Sequence, residues 1–344
     1  MNKHVYVGMS GGVDSSVTAA LLIDQGYKVT GVYMKNWTQD LPGMICPWAE
    51  DLADAKRVAV QLGIDLKVYD FEQQYRDRVV GYMIDAYRDG YTPNPDIMCN
   101  QEIKFKLFLD AALEDGADLV ATGHYAATKD GQLLQAKDET KDQTYFLYRV
   151  SKAALDKTLF PLGELEKPQV REIAKEKGLF TASKKDSQGI CFVGKVGIRE
   201  FLNQYVETKP GPIIEKETGK KLGEHDGAIY FTVGQRHGLN VGGGLPYYVV
   251  GKDMEANEVY VSTNLQDDSI WRDKTILTSI HAIDGTDIED GEYQARIRHR
   301  AKLANVNKVG DELHFKDAQR ALAPGQSVVL YKDNLCVGGG IISQ

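Results

Sequence analysis

One short run near the N-terminus constrains this chain more than any other feature. Ser10-Gly11-Gly12-Val13-Asp14-Ser15-Ser16 follows the apolar segment 4–9 (HVYVGM) and leads into Val13, Val17, Ala20 and Leu21 at helical spacing. A buried strand that turns through two glycines straight into a helix, which stops at Gly26, opens an α/β layer. Glycines let the backbone approach an anion closely. The free N–H groups and the positive end of the helix dipole favour phosphate at that spot. Ser15 and Ser16 are expected to add hydroxyl donors, and Asp14 to hold a magnesium ion or its waters. The loop lacks the lysine of G-x-x-x-x-G-K-[ST], and G-x-G-x-x-G is also absent.

The alternation continues. Segments 28–34 and 64–70 read as strands around a helix at about 50–62. Helices are expected over about 72–88 and 102–114, and a strand over 118–124. This pattern predicts a doubly wound parallel sheet that binds ligand at the carboxyl ends of its strands. Past about Tyr205, glycine and β-formers dominate, as in GAIYFTVGQRHGL, YQARIRH and LCVGGGII. That texture predicts a small β-rich connector and then a C-terminal β-barrel, giving domains over 1–204, 205–268 and 269–344.

Composition limits the setting. No apolar run approaches the length of a membrane-spanning helix, and the N-terminal apolar run is too short for a signal-peptide core. Cys46, Cys99, Cys191 and Cys336 include no C-x-x-C pair, so a disulfide scaffold or zinc site is not expected and a cytoplasmic location is. The net charge is −8, yet Arg296, Arg298, Arg300, Lys302 and Lys308 follow one another with no acid between them. Strand alternation would put Arg296, Arg298 and Arg300 on one face, as a strip for nucleic-acid phosphates. A solvated strand and turn is the plain alternative.

Two cysteines stand apart from the others. Asn94-Pro95-Asp96-Ile97-Met98-Cys99-Asn100 follows Thr92-Pro93 and reads as a loop stiffened by prolines, with Asp96 three residues before Cys99. Cys191 lies in a glycine-containing segment near Lys184 and Lys185, whose charge would favour a thiolate. Cys46 and Cys336 sit in apolar surroundings and look like packing residues.

The phosphate loop closely resembles the S-G-G-x-D-S loop of the ATP pyrophosphatase (PP-loop) superfamily. Those enzymes cleave ATP between the α- and β-phosphates and place AMP on an oxygen. Further motifs then resemble one branch, the bacterial and organellar tRNA-specific 2-thiouridylases. They are GVYMKNW (31–37), NPDIMCN (94–100), ATGHY (121–125), KDQTYFL (141–147), DSQGICF (186–192), GQRHGL (234–239) and APGQ (323–326). They run in order along nearly the whole chain.

The resemblance implies a reaction and a site. ATP, with Mg2+, would adenylate the 2-oxygen of the wobble uridine in the tRNAs for lysine, glutamate and glutamine. Gly8, Met9, Ser10, Gly11, Gly12, Val13, Asp14, Ser15 and Ser16 would hold the nucleotide, with Met34 and Gly123 toward the adenine. Cys99 would be the nucleophile and Cys191 the persulfide carrier, loaded by a cysteine desulfurase or a sulfur-carrier protein. Either the persulfide attacks the activated carbon or Cys99 first releases sulfide. Both routes leave a transient Cys99–Cys191 disulfide. Asp96 would be the general base or a uridine ligand. Asn94, Pro95, Asp96 and His124 would meet the flipped base, and Lys141, Asp142, Gln143, Arg298, His299 and Gln326 would meet the tRNA more widely. The alternatives are a PP-loop amide ligase, a non-catalytic tRNA-binding protein, and an iron–sulfur cluster on Cys99, Cys191 and Asp96.

Overall fold

The computed structural model describes residues 3–40, 45–185, 197–242 and 244–343. The first strands are β1 (His4–Gly8), β2 (Lys28–Lys35), β3 (Asp65–Asp70), β4 (Leu119–Ala121), β5 (Ala127–Lys129), β6 (Gln132–Leu134) and β7 (Thr158–Leu159). Five of them form a parallel sheet in the order β3-β2-β1-β4-β7. Alternate residues of β1 serve opposite faces. Val5 and Val7 pack on Ala19 and Leu22 of helix α1 (Val13–Asp24) and on Val58 of α2 (Trp48–Leu62). Tyr6 faces the other way, toward Val79, Met83, Ile103 and Phe108. Helices on both faces explain why β1 reads as a nearly unbroken apolar run.

The order reverses between β1 and β4, so the crevice beyond the carboxyl ends of those two strands is the natural ligand site. Gly8 to Gly12 leave β1 there, and Thr122 to His124 leave β4 beside them.

The opposite face holds the main departure from the sequence-based expectation. The helix over 72–88 forms as predicted, with Arg76–Val80 π-wound. The next helix starts at Pro95 rather than near residue 102, and it runs to Glu114 with Cys99–Leu107 π-wound. Asn94 is its N-cap, accepting from the backbone N–H of Asp96 and of Ile97, and Pro95 fills the first helical position. Cys99 therefore lies on a helix, not a loop. It is 3% exposed.

Two β-units follow. β8 (Gly211–Glu215), β9 (Lys221–His225), β10 (Tyr248–Asp253) and β11 (Glu258–Ser262) form a sheet in the order β10-β11-β8-β9 around Ile213, Phe231 and Val249. β12 (Trp271–Ala282), β13 (Gly291–Arg296), β14 (Ala304–Val309), β15 (Glu312–Arg320), β16 (Ser327–Lys332) and β17 (Leu335–Ile342) make the last. Pairing of β12 with β17 closes these six into a barrel. The predicted parallel layer, connector and barrel are all present. The β5–β6 hairpin extends the barrel sheet from the catalytic layer, because β6 pairs with β17 through Leu134↔Leu335 and Leu133↔Cys336.

Candidate active site

The glycine loop has the geometry its sequence promised. Gly11 adopts φ +72°, and a Cβ there would lie 2.5 Å from the Asp51 carbonyl oxygen. Gly12 is extended and caps α1 without a side chain, so N–H groups at the helix start are open to a ligand. The serines behave differently from expectation. The Ser16 hydroxyl is fully buried and donates to the Gly12 carbonyl at 2.7 Å, which removes it as a phosphate donor. Ser15 Oγ accepts from the Ser10 N–H at 3.2 Å and donates to the Gly12 carbonyl at 3.1 Å, so it shapes the loop. Met9 and Val13 are buried core side chains. Met9 is tied by its N–H to the Val32 carbonyl. Only the backbone of either faces the loop's task.

Gly8, Met34 and Gly123 close around this loop. A Cβ on Gly8 would come within 3.0 Å of Met34 Cε, and one on Gly123 within 2.8 Å of the Ser15 nitrogen. Strand β4 thus delivers Gly123 directly against the first turn of α1. His124, the next residue, is buried between Phe105 and Phe160. Its Nδ1 is 2.8 Å from Thr122 Oγ1, and Lys104 Nζ is 3.5 Å from its Nε2. Burial, and then the Lys104 charge, hold this imidazole well below its ordinary pKa.

Asp14 is engaged by one protein cation and one hydroxyl. Both its carboxylate oxygens accept from the buried Lys167 ammonium, at 2.7 and 2.8 Å, and Oδ1 also accepts from the Tyr125 hydroxyl at 2.9 Å. Lys184 neutralises the neighbouring acids, Asp51 at 3.1 Å and Asp54 at 2.8 Å, and donates to the Gly11 carbonyl. No group of three His, Cys, Asp or Glu side chains among the described residues could hold a metal ion. The expected magnesium seat on Asp14 does not fit this donor set. Lys167 lies in none of the motifs, and Tyr125 closes the ATGHY motif, but nothing local tied either to Asp14, which lies more than a hundred residues away.

The 95–114 helix faces the loop from across the crevice. Its Lys104 reaches His124, and its Asn100 donates through Nδ2 to the Phe146 carbonyl at 3.0 Å, leaving Oδ1 buried without a partner. Asn94 and Asp96 are half-buried at the helix start, and Pro95 is buried. Cys46 and Cys336 are buried, and burial raises both thiols above their ordinary pKa. Cys191, with its motif 186–192, lies outside the described residues.

Two of the residues expected to meet RNA, Asp142 and Gln326, join domains. Asp142 is 1% exposed and bound to Arg296 Nη1 at 2.6 Å, to the Ala136 N–H and to the Thr144 hydroxyl. Gln143 accepts the Tyr125 N–H with its side-chain oxygen. Gln326 donates to the Thr92 carbonyl at 2.5 Å, while Thr92 N–H donates to the Pro324 carbonyl and its hydroxyl meets Thr232. All three domains therefore meet at Thr92, two residues before the cap of the Cys99 helix.

The basic strip also divides. β13 ends at Arg296, so strand alternation stops there, and Arg300 turns the chain at φ +62°. Arg296 is buried in its ion pair and Lys308 is buried against Asp290. Arg298 donates to the carbonyls of Arg320 and Ala321, and it, Arg300 and Lys302 keep an exposed face. His299 packs on Phe146 at 4.5 Å, and burial lowers its pKa to about 4. Lys141 is half-buried beside Asp142.

Family models match the chain in three consecutive stretches. They are a tRNA methyl transferase HUP domain over residues 3–195, a tRNA methyl transferase PRC-barrel domain over 199–263, and an aminomethyltransferase beta-barrel domain over 272–342. The chain is 47% identical to the tRNA-specific 2-thiouridylase MnmA of Methylobacillus flagellatus, over all of this chain and 99% of that relative. It is 46% identical to the protein of the same name from Staphylococcus aureus, over 98% of this chain and 94% of that one. Among solved structures, a 4-thiouridine synthetase–RNA complex with bound ATP is similar over 59% of this chain and 50% of its own, at TM-score 0.41 and 19% identity. That last likeness is too distant to bear on function.

Proposed function

Because the chain belongs to the tRNA-specific 2-thiouridylase family, we propose that the β1/β4 crevice adenylates the 2-oxygen of a wobble uridine and that Cys99 and Cys191 bring the sulfur. The protein is a tRNA-uridine 2-sulfurtransferase with a PP-loop ATP-binding domain. Membership of this family sets aside an amide ligase and a non-catalytic binding protein. One observation carries the detailed reading. Gly123 packs on the phosphate loop while its neighbour His124 meets Lys104 on the helix that carries Cys99, which supports a single site for the two.

ATP is a co-substrate held by the open N–H groups of the loop, with Met34 and Gly123 toward its adenine. The uridine 2-oxygen attacks the α-phosphorus, the bond to the β-phosphate breaks, and pyrophosphate leaves. Magnesium would travel on the phosphates of ATP rather than on Asp14. Sulfur then bonds to C2 as the C2–O bond breaks, and its electron pair departs with AMP. If the Cys191 persulfide attacks directly, the Cys99 thiolate next attacks the Cys191 sulfur and expels the thiolated uridine. If sulfide is released first, the same Cys99 attack precedes bonding to C2. Either order ends in a Cys99–Cys191 disulfide that a thiol must reduce before the next turnover. Asp96, half-buried one turn before Cys99, serves as the base or uridine ligand. The acceptors are the tRNAs for lysine, glutamate and glutamine. The donor is a cysteine desulfurase or a sulfur-carrier protein, and the setting is the cytoplasm. No helix among the described residues is long and apolar enough to cross a membrane.

The test is incubation with ATP, a persulfide source and unmodified tRNA, followed by nucleoside mass spectrometry and phosphate analysis. The expected products are 2-thiouridine and pyrophosphate. Orthophosphate released in place of pyrophosphate would refute the assignment of α–β cleavage.

A further inference from the structure

The cations around the crevice differ in one respect. Lys167 is held by Asp14, and Lys184 by Asp51 and Asp54. Among the described residues no carboxylate lies within ion-pair distance of Lys104. Its one polar contact within hydrogen-bond reach is His124 Nε2 at 3.5 Å. An ammonium has only donors, so Nε2 accepts, and the imidazole is neutral with its proton on Nδ1, given to Thr122 Oγ1. Packing of His124 between Phe105 and Phe160 fixes the ring, so the ring in turn fixes the ammonium.

The helix supplies the other half of the geometry. Cys99–Leu107 is π-wound, with the Phe108 N–H bonding to the Ile103 carbonyl five residues back. In such a turn residues five apart are stacked along the axis, which puts Lys104 above Cys99 on one face. On its other side Lys104 meets the segment Thr122–His124, whose Gly123 touches the first turn of α1. An ammonium that no described residue neutralises, on the thiol helix and against the segment that touches the phosphate loop, calls for an anion from the substrate.

We propose that Lys104 is a catalytic cation of this site. Its ammonium binds the α-phosphate of the nucleotide, first as the uridine oxygen attacks phosphorus and then as the C2–O bond breaks and its electron pair leaves on AMP. His124 is the positioning residue that holds it. This rests on the reading above that the crevice adenylates a tRNA uridine. Lys104→Met removes the charge and keeps most of the volume, whereas Lys104→Arg keeps the charge.

Two measurements test it. Titration calorimetry with AMP and with adenosine reads the phosphate contact without turnover. Lys104→Met should lose AMP affinity about tenfold or more while adenosine affinity stays unchanged, and Lys104→Arg should retain most of it. Pyrophosphate release with unmodified tRNA and no sulfur source reads the first chemical step. At saturating ATP and tRNA, Lys104→Met should slow it about a hundredfold or more. Equal losses for AMP and adenosine, in Lys104→Met or in the milder Lys104→Gln, would overturn the proposal. So would an undiminished rate of pyrophosphate release in Lys104→Met with only thiolation abolished, which would give Lys104 to Cys99 alone. If the wild type itself releases no pyrophosphate, the adenylation reading fails, and that result is distinct from any difference between variants.

Discussion

Replacing Arg296 by methionine strands a buried carboxylate, and the cost can be worked from its surroundings. Arg296 and Asp142 are 8% and 1% exposed, with 2.6 Å between Nη1 and Oδ2. Breaking a buried pair costs about 3–5 kcal/mol when nothing else compensates the remaining charge. Asp142 keeps the Ala136 N–H at 3.0 Å and the Thr144 hydroxyl at 2.8 Å. The loss should therefore sit at the lower end, about 3 kcal/mol. The converse change, Asp142→Asn, preserves an acceptor for Ala136 but leaves a guanidinium over the Tyr331 ring with its Nε already unpartnered. It too should cost about 3 kcal/mol. The double variant carries neither charge and should fall within about 2 kcal/mol of wild type, a coupling of about 4 kcal/mol. Urea unfolding followed by tryptophan fluorescence measures all four corners. Trp37 and Trp48 report on the catalytic layer and Trp271 on the barrel. Additive losses, or a single-variant cost under about 1 kcal/mol, would refute the joint and return Asp142 to the role of an RNA contact.

Four further outcomes are expected. Serine at either Cys99 or Cys191 should abolish thiolation while leaving tRNA-dependent pyrophosphate release, and equal damage from Cys46→Ser, read by nucleoside mass spectrometry, would undo the choice of pair. Gly123→Ala drives a methyl group to 2.8 Å from the Ser15 nitrogen, so equilibrium ATP affinity should fall about tenfold or more while circular dichroism is unchanged. His299 has its pKa lowered from 6.5 to about 4 by burial and then by Arg300 and Arg296. The unfolded chain therefore binds a proton between those values that the native state refuses, and stability falls as pH drops through that window. His299→Gln should reduce the loss of Tm between pH 6.5 and 4, and an identical loss would refute this. Arg300→Ala with Lys302→Ala should weaken tRNA binding and lower its salt slope by about one for each phosphate no longer neutralised, and an unchanged slope would show a merely solvated surface.

The parts of this protein that were legible in its sequence are those set by backbone and short-range pattern. Two glycines between an apolar run and a helical repeat produce the same turn whatever surrounds them, so the phosphate loop was readable at once. Alternating strands and helices, followed by short β-runs, likewise specified the parallel layer, connector and barrel. The Asn94-Pro95 start of the Cys99 helix was equally local, since a capping residue before a first-turn proline begins a helix as readily as it makes a turn. It was missed because Thr92-Pro93 precedes it, and a pair of prolines reads as a stiffened loop.

The charged residues misled for a deeper reason. An acid-free run between 296 and 308 says nothing about which carboxylates the fold will bring to it. Asp142 reaches Arg296 across 154 residues, and the same long-range packing turns Gln326 and Thr92 into a brace. Family motifs therefore mark two kinds of residue with one signature, those that touch substrate and those that hold the touching residues in place. Electrostatics separates them. A charge balanced and buried inside the protein, as on Asp142 and Arg296, serves the structure. A charge left open beside a phosphate loop, as on Lys104, is available for the substrate. On that criterion the RNA grip should be sought on exposed Arg300 and Lys302, and the chemistry on the helix that carries Cys99.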